Sequence, residues 1–357
     1  MKKKKIFWNT TALFCLILGF NNFAFSQQLD GFRITKQIPT TEIKDQGYSG
    51  TCWSFGTLSF LETEVLRKTK LAFDLSEMYI VRNIYPEKAK NYFRTQGNTY
   101  FTAGGQIQDV LFVMKNYGMI PESAYKQKMD ALYGYNTSKL DTATLKFVRS
   151  LRKKEDDIIP LDWTHNFDSI LNSHLGIPPT EFSYNNKKYS PKSFSDQVLG
   201  LNADDYIQIT SYTHHPYDAF FCLESRYNWS YSQYYNLSLD DFMSTLNKSI
   251  SKGYSAVFNG DVSEKDFDFE KGSAIIPDKF EDAAELRQKM FEQGATTVDH
   301  VMHIVGLADG EDGKKYYLTK NSWGNSNSCG GYIYLSEDFI KLKAVSILVN
   351  KDVLKFK

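Results

Sequence analysis

Cysteine is scarce in this chain, 4 among 357 residues, and no two of the four lie at metal-finger spacing. His214 and His215 are adjacent and so project differently, which leaves no metal or other cofactor to expect. An excess of one charge is missing too: 42 basic residues balance 42 acidic ones. Neither nucleic acid nor an anionic membrane surface is an expected partner. Also absent are internal repeats, low-complexity tracts and a glycine-rich phosphate loop. The acidic stretch with Asp266, Asp268 and Glu270 has Lys271 where a calcium loop needs its sixth-position glycine, so it reads as a solvated loop. Aromatics are plentiful, 23 Tyr and 26 Phe, and read as an aromatic core with tyrosine-rich loops.

No long hydrophobic run marks the N-terminus either. Ala12–Phe20 is far shorter than the roughly 20 residues of a spanning helix. Preceded by Lys2–Lys5 and followed by Ala24-Phe25-Ser26, it reads as a secretory signal over residues 1–26. The mature chain, 27–357, is expected to be exported, periplasmic or secreted, with no membrane attachment after cleavage. It keeps Cys52, Cys222 and Cys329, an odd number in a compartment that permits disulfides. Cys52 is the expected thiol; whether Cys222 and Cys329 pair is left open.

What is present centres on Cys52, in Asp45-Gln46-Gly47-Tyr48-Ser49-Gly50-Thr51-Cys52-Trp53-Ser54-Phe55-Gly56. The Gly-Thr break and the stripe of Leu58, Leu61 and Val65 predict a helix running from Trp53 to Arg67. A thiol at a helix N-terminus meets unpaired N–H groups and the positive dipole end, which favour thiolate. Gln46 can supply a side-chain N–H to the same place. These are half the parts of a cysteine hydrolase.

The other half lies downstream. Thr297 to Gly306 is β-branched and apolar, Asp309-Gly310-Glu311-Asp312-Gly313 is a turn cluster, and Lys315 to Trp323 reads as a second strand. Folding about Gly310 and Glu311 sets His300 opposite Asn321, close enough for the amide oxygen to hold the imidazole. His303 falls on the other face of the strand and reads as a structural histidine.

Residues 44 to about 120 look helical, including Leu75–Arg82 and Gln106–Tyr117, and about 122–201 reads as an inserted helical subdomain. Strands are expected at 206–210 and 254–259, with a helix over Leu239–Ser251 between them.

Gln46-Gly47-x-x-Gly50-x-Cys52-Trp53, Gly104-Gly105, Val298-Asp299-His300 and Lys320-Asn321-Ser322-Trp323-Gly324 together resemble the papain superfamily of cysteine peptidases. Ser49 in place of a disulfide cysteine, Gly104-Gly105-Gln106, Lys115 to Pro121 and Leu175-Gly176-x-Pro178-Pro179-x-x-Phe182 are similar to its bleomycin hydrolase/aminopeptidase C branch. His300 follows Cys52 by 248 residues, against about 130–150 in papain-type enzymes, and the inserted subdomain accounts for the excess. The resemblance implies an α+β, two-lobed fold, a helical lobe with Cys52 facing a β-rich lobe with His300 and Asn321. It implies a peptide or protein substrate, no cofactor, Gln46 at the oxyanion, Trp323 shielding the Asn321 contact, and Gly104 and Gly105 against an extended substrate. The chain ends Leu354-Lys355-Phe356-Lys357, unlike that branch's tail, so aminopeptidase and endopeptidase cleavage both stay open. An acyl transferase on the same thioester and a silent peptide-binding scaffold are the alternatives. Oligomeric state is open, a homo-oligomer included.

Overall fold

A computed structural model describes residues 28–356 except 30, 128, 131, 133, 155 and 278. The expected leader, 1–26, lies outside the described residues. No helix among the described residues is long and apolar enough to cross a membrane.

The helix Cys52–Thr69 is longer than its stripe suggests and is buried nearly all round. Trp53, Phe55, Leu58, Phe60, Leu61 and Val65 all belong to one apolar core. Around it pack the helices Glu77–Arg94 and Ile107–Asn116. The helices Ser138–Leu151 and Trp163–Leu175 contribute Leu140, Val148, Phe167 and Leu171 to that same core. Arg82 clamps the second of them, donating to Asp168 at 2.9 Å and to Asn172 at 2.8 Å.

The other half is a 12-stranded sheet whose middle is the strand His300–Gly310. This strand is apolar and buried on both faces, which suits a position with neighbours on every side. Its first half pairs antiparallel with Ala256–Gly260, its second half with Phe32–Gln37, and its other edge with Lys315–Lys320. The helices Leu239–Ser251 and Glu337–Lys343 cover the sheet, with Phe242, Leu246, Phe339 and Ile340 in a second core. Helical and sheet halves meet where Cys52–Thr69 crosses His300–Gly310. Gly56 permits that crossing: a Cβ there would sit 2.7 Å from the Val301 carbonyl oxygen.

The hairpin register differs from the expected one. Gly310 N–H bonds Lys314 O at 2.9 Å, so the loop is centred further along than Gly310 and Glu311. Asp309 pairs with Lys315 and Gly306 with Leu318, and a bulge at Val305 then shifts the ladder to His303 opposite Lys320. His300 itself pairs with Gly260 on the other neighbour. The ladder stops at Lys320, and Asn321 approaches His300 from chain that has left the strand.

Candidate active site

Cys52 opens its helix and His300 opens its strand, so both chemistry-bearing side chains stand at element ends that meet in one cleft. The cleft, of about 370 Å³, is lined by Gln46, Cys52, Gly104, His300 and Trp323 among others. Despite the shifted register, His300 Nε2 and Asn321 Oδ1 are 2.7 Å apart. The amide oxygen also accepts the Ser322 N–H at 2.8 Å, which fixes the Asn321 side chain with its oxygen toward the ring. Asn321 is 3% exposed, and Trp323 lies with its ring 4.7 Å from the His300 ring, closing this contact from water.

His303 is fully buried on the helix-facing side, where its Nδ1 meets Ser59 Oγ at 2.9 Å. It does not line the cleft.

Gln46 points into the cleft from an anchored position. Its Nε2 donates to Ser49 O at 2.8 Å and its Oε1 accepts from Ser322 Oγ at 2.7 Å. One of its two N–H bonds is thus used locally, leaving the other for the cleft. The wall carrying Gly104 and Gly105 is pinned from behind: Trp53 Nε1 donates to Ala103 O at 3.0 Å and Lys88 Nζ to Gly104 O at 2.7 Å. The two glycines serve packing as well as access. A Cβ on Gly105 would lie 2.8 Å from the Trp53 ring, and one on Gly104 would lie 2.6 Å from the Tyr227 ring.

Tyr227 and Asp299 are cleft residues that sequence reasoning missed, and Ser322, outside the cleft lining, supports Gln46 from behind. Tyr227 belongs to no motif and comes from a loop far along the chain, so only tertiary packing reveals it. Ser322 sits inside a recognised motif, and its hydroxyl next to Asn321 was the available signal. The Asp299 carbonyl oxygen accepts from Cys52 Sγ at 3.9 Å, and its carboxylate accepts the Val262 N–H at 2.9 Å.

One expectation, a thiolate favoured by the helix terminus, meets an opposing effect at the half-buried Cys52. Burial, the largest cause, pushes the Cys52 thiol up to about 11; N–H groups of Val301, Trp53 and Cys52 itself pull the other way, and Asp299 adds to the rise. Desolvation thus works against the charge-stabilising effect of the helix terminus. Burial likewise pushes the His300 imidazole down to about 4, partly offset by the bond to Asn321. Each shift opposes a lone charge. A proton passed from sulfur to imidazole charges both groups and leaves the cleft's net charge unchanged, which is the low-cost route to a thiolate in such a place.

A second expectation also changes. His214 and His215 do not diverge: both Nε2 atoms reach Glu224, at 3.1 and 2.8 Å. The pair lies in a run of turns, not a strand, so consecutive side chains need not alternate. No disulfide joins Cys52, Cys222 and Cys329: Cys222 is exposed and Cys329 buried.

A model of the Peptidase C1-like family matches residues 88–357. Aminopeptidase C of Lactobacillus helveticus is 22% identical over 372 residues, covering 89% of this chain and 81% of that protein. Aminopeptidase C of Streptococcus thermophilus is 23% identical over 386 residues, covering 94% and 84%. Among solved structures, PepW of Lactobacillus rhamnosis HN001 matches with a TM-score of 0.73 at 20% identity, covering 90% of this chain and 82% of that one. The likeness shows a shared fold.

Proposed function

Because the chain belongs to the Peptidase C1-like family, has the papain-like α+β fold and is a cysteine-type peptidase, we propose that it cleaves at the amino end of peptides through Cys52, His300 and Asn321. The contact that carries this reading is the 2.7 Å bond from His300 Nε2 to Asn321 Oδ1, made in the same cleft as Cys52. With Nε2 occupied, Nδ1 is the ring nitrogen left to exchange a proton with sulfur.

In the first step the Cys52 proton passes to His300 and the sulfur attacks the peptide carbonyl. The oxyanion takes hydrogen bonds from Gln46 Nε2 and the Cys52 backbone N–H, each worth about 3–4 kcal/mol in comparable sites. Collapse breaks the C–N bond, the leaving amine takes the proton from His300, and a thioester remains. Water, deprotonated by His300, then releases the acid and restores the thiol. Gly104, without a side chain, leaves its backbone free to lie along an extended peptide.

The amino-end preference rests on the relatives named aminopeptidases. Phe356, near the end of the chain, packs on Tyr235 with ring centroids 5.2 Å apart, and neither residue lines the cleft.

The test compares wild type with Cys52→Ala on matched fluorogenic peptides, free or N-acetylated. Turnover of the free-amine peptide only, lost in Cys52→Ala, is expected. Equal cleavage of the acetylated peptide would make the enzyme an endopeptidase. Undiminished turnover in the variant would remove Cys52 from the chemistry. A good amine acceptor that captures most of the acyl group would identify a transferase.

A further inference from the structure

Beyond the catalytic cleft, the geometry points to a binding site for one divalent transition-metal cation of the zinc class, formed by His214, His215 and Glu224. The ligand atoms of these three residues lie within 4.8 Å of one another. His214 Nε2 stands 3.1 Å from Glu224 Oε2, and His215 Nε2 stands 2.8 Å from Glu224 Oε1. Zinc bonds of about 2.0–2.2 Å place tetrahedral ligands roughly 3.3 Å apart, so both histidine–carboxylate spacings suit a shared cation, and the two imidazoles, within 4.8 Å of each other, close on it by side-chain rotation. Two imidazoles and one carboxylate suit zinc, cobalt, nickel or copper better than calcium or magnesium, which favour all-oxygen sets.

The cluster is built rather than incidental. Asn236, fully buried, clamps the loop that carries both histidines: its Nδ2 donates to Tyr212 O at 2.8 Å, His215 O at 2.9 Å and Pro216 O at 3.1 Å. Its Oδ1 accepts the Tyr212 N–H at 2.9 Å. The His215 ring stacks on Phe221 with centroids 4.1 Å apart. The His214 ring is held at Nδ1 by the Gln288 side-chain amide, 3.0–3.2 Å away. Gln288 is itself fixed, accepting the Thr213 N–H at 2.8 Å and donating to Glu292 at 2.8 Å. A partner on the far ring nitrogen is what orients metal-binding histidines. Each Nε2 proton now shared with Glu224 is one that a bound cation would displace.

Three protein ligands leave a fourth position for water. His214 and Glu224 line a cavity of about 610 Å³ that shares Tyr227 and Val298 with the Cys52 cleft. A cation held there sits on the wall of the space into which a long substrate would extend.

The experiment titrates Co²⁺ into the full chain carrying Cys52→Ala, so that the cleft thiol cannot compete. One saturable equivalent with tetrahedral ligand-field bands, displaced by Zn²⁺ and without a sulfur-to-cobalt band, is the expected result. His215→Ala and Glu224→Gln should each weaken binding by more than the roughly 10–100-fold that loss of a supporting partner costs at established sites. Glu224 is exposed, so its variant keeps the fold, checked by circular dichroism. No saturable uptake, uptake kept in both variants, or a thiolate band from Cys222 would each overturn the site. Because the assay runs in a chain without the nucleophile, its failure would leave the peptidase reading untouched.

Discussion

Ser322 Oγ donates to Gln46 Oε1 at 2.7 Å, tying the residue after Asn321 to the segment ahead of the Cys52 helix. The backbones reinforce the link, with Gln46 N–H bonded to Ser322 O at 2.8 Å and Gly324 N–H to Lys44 O at 3.3 Å. The group proposed for the oxyanion and the group that orients His300 therefore move together. Ser322→Ala leaves the buried Gln46 oxygen without its partner. We expect kcat to fall about two- to tenfold, the rate equivalent of a 0.5–1.5 kcal/mol hydrogen bond, with KM little changed. Unchanged kcat would separate Gln46 from the oxyanion.

The two shifted groups predict a pH profile. The competent cleft holds one proton between Cys52 and His300. A second proton enters as the pH falls toward the His300 value of about 4, and the one proton leaves as it rises toward the Cys52 value of about 11. A plot of kcat/KM against pH should be flat through neutrality with an acid limb well below 6.5, the limbs belonging to the pair as a unit. Asn321 favours the charged ring, so Asn321→Ala should move the acid limb lower still while reducing turnover less than His300→Ala does. An acid limb that rises in Asn321→Ala would reverse the role assigned to that bond.

Gly56 sets how closely helix and strand approach. An added methyl would meet Val301 O at 2.7 Å and Val301 Cγ1 at 3.0 Å. Gly56→Ala improves intrinsic helix propensity by about 1 kcal/mol, yet overpacking costs about 1–3 kcal/mol. We expect net destabilisation in urea unfolding together with reduced turnover, because Cys52 and Val301 are pushed apart. A more stable, fully active variant would show that the crossing yields.

Lys44 holds together a buried acidic cluster. Its Nζ contacts Glu62 at 2.9 Å and Glu77 at 2.7 Å, carboxylates that are 0% and 2% exposed, and reaches Asp74 at 2.6 Å. Burial pushes the Glu77 carboxyl up, with Lys44 pulling it back toward the charged form. Lys44→Met strands these carboxylates and should cost about 3–5 kcal/mol of stability. A urea midpoint within about 1 kcal/mol of wild type would mean that the hydrogen bonds to Glu62 from Thr41 Oγ1 and the Leu75 N–H suffice.

Local signals carried much of this molecule. The Gly-Thr break and apolar stripe placed Cys52 at a helix start, and the β-branched run placed His300 on a strand. Turn residues marked the hairpin, and the helix Leu239–Ser251 was legible to the residue. Each depends on residues a few positions apart, which is the range over which backbone propensity and side-chain period act. The strand register was not legible, because the bulge at Val305 and the loop's centre are settled by what packs against both strands.

Sequence by itself determined which residue types could do chemistry and which elements would carry them: thiol, imidazole, amide and their spacing. Only the tertiary structure decided the burial of the thiol, the presence of Tyr227 in the cleft, and the convergence of His214 and His215 on Glu224. Those three depend on how far water is excluded and on which distant loops arrive, quantities that exist only once the whole chain has packed.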